Sequence, residues 1–341
     1  MEKVLVTGAK GFIAGYLIED LLDRGYQVVG LDNFSKYGNV TKSYDSDPNY
    51  EFIEGDAQHT EMMKILLTDC DHFIAGAAKI GGISYFHQHA YDLLSENERI
   101  LAASFDAAIY AFQHHKLKKI TPLSSSMVYE NTDKYPTPEG EEFVCPPPSS
   151  TYGFQKLAVE YFAYGAWQQY GLPFTLCLPF NCIGTGESKA LTDTDIYSGN
   201  IKMALSHVVP DLIQKILKGQ DPLILLGSGE QVRHYTYAGD LARGIRLAME
   251  NMDNSINETF NLSTPIKHTV KELAEIIWNK INTDKPFRYT TSEGFEHDVP
   301  FRSPDTSKAK RLLDFEAKVK LEDALDEIIP WYKEAIEKGL I

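Results

Sequence analysis

The sequence predicts an α/β fold, a doubly wound parallel sheet with a smaller mixed α/β lobe at its C-terminal side. Three observations point there. Short apolar runs alternate with amphipathic helical patterns as far as about residue 180. Gly8, Gly11 and Ala14 stand three apart between the first apolar run and the first helical pattern. Beyond Gly184 the alternation loosens into short strands and helices of mixed order. The expected division places residues 1–184, with about 232–264, in the dinucleotide-binding (Rossmann-type) domain. Residues of about 185–231 and 265–341 form the second lobe.

The elements follow in order. Val4–Val6 reads as a buried strand and Phe12–Leu22 as a helix. The turn between them wants small residues. Gly8 permits a tight bend, Gly11 lets a pyrophosphate approach the backbone, and Ala14 lets helix and strand pack closely. The phosphates then meet free N–H groups at the positive end of the helix. Gln27–Leu31 is the second strand and ends in Asp32, a carboxylate able to accept both ribose hydroxyls and to repel a 2′-phosphate. Lys36 lies close by in sequence and would soften that preference.

Asn33–Tyr50 is polar and reads as an exposed loop. Tyr50–Gly55 is the third strand, followed by Asp56, which suits either an adenine contact or the N-cap of a helix over Gln58–Leu67. His72–Ala78 is the fourth strand, Lys79–Ile83 a glycine-containing loop, Ala90–Phe112 a long helix and Lys119–Leu123 the fifth strand. The prolines of Asn131–Ser150 exclude a helix. Helix resumes over Thr151–Tyr170, and Phe174–Pro179 is the sixth strand. Glu187–Asn200 reads as a mobile loop. Helices are expected at Val208–Lys218, Asp240–Glu250, Val270–Lys280, Lys308–Leu313 and from Leu321 onward, with strands at Leu223–Leu226 and Thr259–Leu262.

Composition narrows the function classes. A length of 341 residues with 43% hydrophobic content suits a globular chain with a sizeable core. The net charge of −15 opposes nucleic acid and anionic membrane as partners, because both would be repelled. It also makes single arginines conspicuous as anion ligands. Cys70, Cys145, Cys177 and Cys182 show no metal-type spacing, so no metal is expected and a reduced, cytoplasmic protein is.

The chemistry concentrates in a few positions. Tyr152 and Lys156 stand at i and i+4 on one helix face. A phenol is a weak base at neutral pH, and a nearby ammonium together with the positive ring of a nicotinamide is expected to favour its phenolate. Such a tyrosine takes a proton from a sugar hydroxyl as hydride leaves the same carbon. Ser125 follows a strand of the same sheet, where ligands gather, and its hydroxyl can donate to the forming alkoxide.

With TGAKGFIAG, the Ser125 strand end, Tyr152/Lys156 and LPFN in this order, the chain resembles the extended short-chain dehydrogenase/reductase family. More narrowly it resembles that family's nucleotide-sugar epimerases and dehydratases, from Met1 to about Leu325. The resemblance implies NAD rather than NADP as cofactor, a nucleoside diphosphate sugar as substrate, and a homodimer. It implies that Gly8, Gly11, Phe12 and Ile13 hold the pyrophosphate, Asp32 and Asn33 the adenosine ribose, and Asp56 and Ala57 the adenine. Ala75, Ala77 and Lys79 would lie along the cofactor with Asn97 behind it. Tyr152 would be the base and Lys156 a ribose ligand. Ser125, Ser126, Met127 and Asn181 would meet the sugar, and Arg233 and Arg302 would clamp the diphosphate, as guanidinium forks do.

Two departures bear on the product. The family's 4,6-dehydratases carry adjacent Asp-Glu after the catalytic Ser/Thr, whereas this chain has Ser126-Met127. Ala77–Ile83 and Ser206–Pro210 resemble loops of GDP-fucose synthase, in which a Cys and a His move protons. His207 matches that His, and Met127 replaces that Cys. Glu130 is a further acid/base candidate. The expected activity is therefore epimerisation of a UDP-sugar through a 4-keto intermediate. The alternatives are an atypical dehydratase, a multi-step epimerase/reductase on a hexosamine or 4-keto sugar, and a non-catalytic dinucleotide sensor.

Overall fold

The computed structural model describes residues 1–80, 89–187, 207–293 and 299–339, and the backbone alone of 196–198 and 201–203. In chain order the strands are β1 (Lys3–Thr7), β2 (Gln27–Asp32), β3 (Tyr50–Glu54), β4 (His72–Ala75), β5 (Lys119–Pro122), β6 (Thr175–Pro179), β7 (Cys182–Ile183), β8 (Ile196–Ser198), β9 (Ile201–Met203), β10 (Leu223–Leu226), β11 (Val232–Arg233), β12 (Thr236–Tyr237), β13 (Glu258–Leu262), β14 (His268–Thr269) and β15 (Tyr289–Ser292). The described helices are α1 (Phe12–Asp23), α2 (Thr60–Leu67), α3 (Ala90–His114), α4 (Thr151–Tyr170), α5 (Val208–Leu217), α6 (Ala238–Glu250), α7 (Val270–Ile281), α8 (Ser307–Leu313) and α9 (Leu321–Glu337).

Val4–Val6 and Phe73–Ile74 are apolar and buried, so the strands that carry them lie at the middle of the sheet. The parallel order is β3-β2-β1-β4-β5. Parallel bridges from Ile120 to Phe174 and from Leu123 to Cys177 carry the sheet on to β6, which pairs with β13. One core face joins α2, α3 and α4 to the sheet through Met63, Leu67, Phe105, Leu157 and Ala163. The opposite face buries α1, α6 and α8 through Leu17, Ile18, Leu21, Ile245 and Leu313. A third core, centred on Leu212, Leu225, Leu273, Trp278, Leu325 and Tyr332, joins α5, α7, α9 and β10. The strand order reverses between β1 and β4. The crevice at their C-terminal ends is where ligands of such sheets collect.

Several expectations are corrected. β4 stops at Ala75 rather than Ala78, because the Gly76 and Ala77 amides turn away from the ladder and donate to Thr7 Oγ1 at 3.2 and 3.1 Å. Asp56 does not cap α2, which begins at Thr60 behind His59. Its carboxylate instead accepts from the Gln58 amide at 2.9 Å. The segment 33–50 is not uniformly exposed: Tyr44 is buried and packs edge-on against Tyr50. Within the expected loop Glu187–Asn200, Ile196–Ser198 pairs antiparallel with Ile201–Met203. The β-prone Ile196 and Tyr197, followed by Gly199-Asn200, already carried that hairpin signal. Residues Gly81–Ile83 of the glycine-containing loop and Ser206 of the His207 segment lie outside the described residues.

One buried cation secures the sheet from behind. Lys119, at the start of β5, donates to the Ala248 and Asn251 carbonyls at 2.8 and 3.1 Å and to Ser255 Oγ at 2.7 Å. It thereby satisfies free carbonyls at the C-terminal end of α6. Burial brings its ammonium down to about 8.

Candidate active site

A cavity of about 870 Å³ opens at the strand-order reversal and runs toward the third core. At one end it is walled by the β1–α1 turn. Gly8 has φ +76°, and a Cβ there would come 3.1 Å from Ala77 Cα. A Cβ on Gly11 would come 2.9 Å from the Gly8 carbonyl. The backbone is thus bare at this turn. Asp32 closes this end. Its Oδ2 accepts from the Lys10 amide at 3.0 Å and its Oδ1 from the Phe34 amide at 2.7 Å. Gly8, Gly11, Phe12, Ile13, Asp32, Asn33, Asp56, Ala57, Ala77 and Lys79 all line the cavity.

Ala75 and Asn97 are not in that lining. Asn97 is buried in α3 and brackets residue 79, accepting from its amide at 2.7 Å and donating to its carbonyl at 2.9 Å. It holds the loop after β4 from behind. The Lys79 ammonium pairs with Glu96 at 2.7 Å. Lys36 lies over the Tyr37 ring, and its charge reaches Glu187.

Midway along the cavity stand Ser125, Ser126, Met127, Tyr152 and Lys156. β5 delivers Ser125, which caps the short 3-10 turn Ser126–Tyr129 and accepts from the Met127 amide at 3.3 Å. Ser150 caps α4 and presents Tyr152 and Lys156 in its first two turns. Ser125 hydrogen-bonds Tyr152. Lys156 Nζ donates to the Leu123 carbonyl at 2.9 Å and lies 5.9 Å from the centre of the Tyr152 ring.

The expected lowering of the phenol joins Lys156 to a positive nicotinamide ring; the free chain on its own holds the phenol high. Burial raises the Tyr152 phenol, opposed by the Ser125 hydrogen bond and the Arg302 charge. Burial equally brings Lys156 down to about 8. Lys156 gives one hydrogen bond to the Leu123 carbonyl, and further positive charge at the site would add to its pull on the phenolate.

The far wall comes from the third core's side. Asn181, His207, Arg233 and Arg302 line the cavity. Arg233 is nearly buried on β11, with Nη1 donating to the Val232 carbonyl at 2.8 Å. Arg302 Nη2 lies 2.6 Å from Met127 Sδ, so its guanidinium reaches the serine–tyrosine end. His207 precedes α5 and pairs through Nδ1 with Glu187. Glu130 is taken up by Ser150, accepting from its amide at 3.0 Å and its hydroxyl at 2.8 Å, and so fixes the start of α4.

The model of the NAD dependent epimerase/dehydratase family matches residues 4–263. The chain belongs to this family. A UDP-N-acetyl-alpha-D-glucosaminuronate decarboxylase of Bacillus cytotoxicus is 27% identical over 98% of each chain. The solved UDP-glucose 4-epimerase of Thermotoga maritima, with UDP-glucose, is 27% identical with TM-score 0.80, covering 98% of this chain and 99% of that one. The UDP-glucuronic acid 4-epimerase of Bacillus cereus, with UDP-glucuronic acid and NAD, is 25% identical with TM-score 0.79, covering 97% and 99%. This member of the epimerase/dehydratase family is an enzyme and uses NAD. No helix among the described residues is long and apolar enough to cross a membrane.

The family's cofactor fits the donor set, with a bare-backbone turn at Gly8–Gly11 and a carboxylate at the end of β2. Asp32→Ala should reduce the preference for NAD over NADP about tenfold or more, as removal of a carboxylate facing a phosphate would. Paired titrations of NADH and NADPH measure it, and an unchanged ratio refutes the ribose contact.

Lys156 sets a pH limit of predictable sign. Its ammonium is present below its lowered value and lost above it, so kcat/KM should fall as pH rises through about 8. Lys156→Arg, which stays charged, should lack that limb whatever activity it retains. A flat wild-type profile across this range contradicts the assignment.

Sequence reasoning missed Glu187, Glu160 and Asp45. Glu187 is buried and meets His207 from twenty positions earlier. Burial pushes its carboxyl up, and the charges of His207 and Lys36 hold it below the usual carboxylate value. Glu160 accepts from Ser124 Oγ at 2.9 Å and ties the β5 end to α4. Burial and the neighbouring Glu142 raise it well above a normal carboxylate. Its place one turn beyond Lys156 was the only available hint.

Proposed function

We propose that the enzyme epimerises C4 of a nucleoside diphosphate sugar, UDP-linked, through a 4-keto intermediate. One observation carries the reading: Ser125, Tyr152 and Lys156 line the same cavity as the bare glycine turn and Arg233. Tyr152 takes the proton of the C4 hydroxyl while Ser125 donates a hydrogen bond to that oxygen. NAD, when bound, supplies the acceptor for the C4 hydrogen. Arg233 holds the diphosphate, and Arg302 spans from it toward the sugar.

Epimerisation is favoured over dehydration by Met127. A thioether neither gives nor takes a proton, so elimination of water lacks a partner at that position. The His207–Glu187 pair is the remaining acid/base candidate. The division into an NAD-binding part and a sugar-nucleotide lobe is supported by the separate third core. A homodimer through α3 and α4 is supported by the exposed Tyr110, Phe154, Tyr161 and Trp167 on these helices.

The test is a panel of UDP-, GDP-, dTDP- and CDP-sugars, with and without carboxylate or N-acetyl groups, followed by product mass. An unchanged mass with altered configuration at C4 supports epimerisation. Loss of water or of carbon dioxide overturns it in favour of dehydration or decarboxylation.

A further inference from the structure

The segment after β2 grips the glycine turn, and it does so with charge. Lys10 sits between Gly8 and Gly11 and lines the cavity. Its amide donates to Asp32, and its ammonium lies between both oxygens of Asp45, at 2.8 and 2.9 Å. The Lys10 side chain is only 6% exposed, so this is a largely desolvated, two-pronged ion pair. Asp45 is itself held, with Oδ2 accepting from the Lys42 amide at 2.9 Å. Lys42 Nζ donates to the Gly11 carbonyl at 3.3 Å, and the Tyr44 hydroxyl to the Ala9 carbonyl at 3.4 Å. Asp45 is not part of the cavity lining.

We propose that Asp45 is a specificity-determining residue of the cofactor site, acting through Lys10 to keep the adenosine ribose end closed to a 2′-phosphate. The argument rests on the reading that Asp32 meets the adenosine ribose. Asp32 and Asp45 are balanced by Lys10 and Lys42 in one small cluster. A 2′-phosphate brings nearly two further negative charges into it. Of the two lysines that line the cavity near Asp32, Lys36 lies over the Tyr37 ring and Lys10 is tied back by Asp45. Neutralising Asp45 leaves Lys10 with a flexible four-carbon stem whose own amide already touches Asp32, so its ammonium can swing to the ribose end. Asp32 alone then opposes NADPH.

The experiment titrates NADH and NADPH, by fluorescence, into full-length protein stripped of nucleotide. Asp45→Asn should shift the NADPH-to-NADH affinity ratio toward NADPH by about tenfold. Lys10→Met/Asp45→Asn should abolish that gain. Lys10→Met alone, a second route if Asp45→Asn fails to fold, should shift the ratio the opposite way by leaving Asp45 unbalanced. An unchanged ratio, a parallel weakening of both nucleotides, or a gain that survives in the double variant overturns the proposal. Failure of the wild type to bind NADH would instead overturn the cofactor-site reading beneath it.

Discussion

Tyr152→Phe should lower kcat about a thousandfold or more while NAD stays bound, since positioned proton transfer contributes on this scale. The substitution removes one oxygen and leaves the ring in place. Its hydroxyl is the group that Ser125 hydrogen-bonds and that the Arg302 charge acts on. In the free chain burial raises the phenol, so the residue is a poor base until more positive charge arrives. The loss should therefore fall on the chemical step and not on ligand affinity. Single-turnover kinetics beside calorimetric binding of the sugar nucleotide separate the two. Survival of most activity would remove Tyr152 from the reaction and with it the proposed mechanism.

Arg233→Ala should weaken sugar-nucleotide binding about 100-fold, close to 3 kcal/mol, as expected for the loss of charge-assisted contacts to a diphosphate. NAD affinity should change far less. Arg233 is 8% exposed in a chain of net charge −15, where an anionic substrate depends on a few local cations. It sits on β11, whose backbone pairs with β14. Calorimetry with UDP and with NADH on the same preparation reads both affinities. Equal losses would mean that Arg233 supports the cavity wall instead of holding phosphate.

The β1–α1 turn, Asp32 and the Tyr152/Lys156 pair were legible because each is a short-range pattern. Gly8 and Gly11 are three apart, and one helix face carries both Tyr152 and Lys156. Pairs closed by the tertiary fold were not. Lys10 meets Asp45 across 35 positions, and Ser124 meets Glu160 across 36. What acts on Tyr152 in the free chain was hidden for the same reason. Spacing brings the ammonium near, but only the fold shows that Leu123 takes it up and that burial dominates. The end of β4 was set by a side chain on another strand, Thr7, which no local propensity could report. Arg302 was read as a diphosphate ligand. Its contact with Met127 brings it to the serine–tyrosine end of the cavity, a placement that depends on how the chain near residue 300 returns to the sheet.

The most direct measurement follows a deuterium label placed at C4 of the sugar nucleotide that turns over. If Tyr152 and the cofactor act on that carbon, turnover should show a primary isotope effect, and the product should keep the label at C4 with inverted configuration. Label lost to solvent, moved to another carbon, or carried through at unaltered rate would contradict the account.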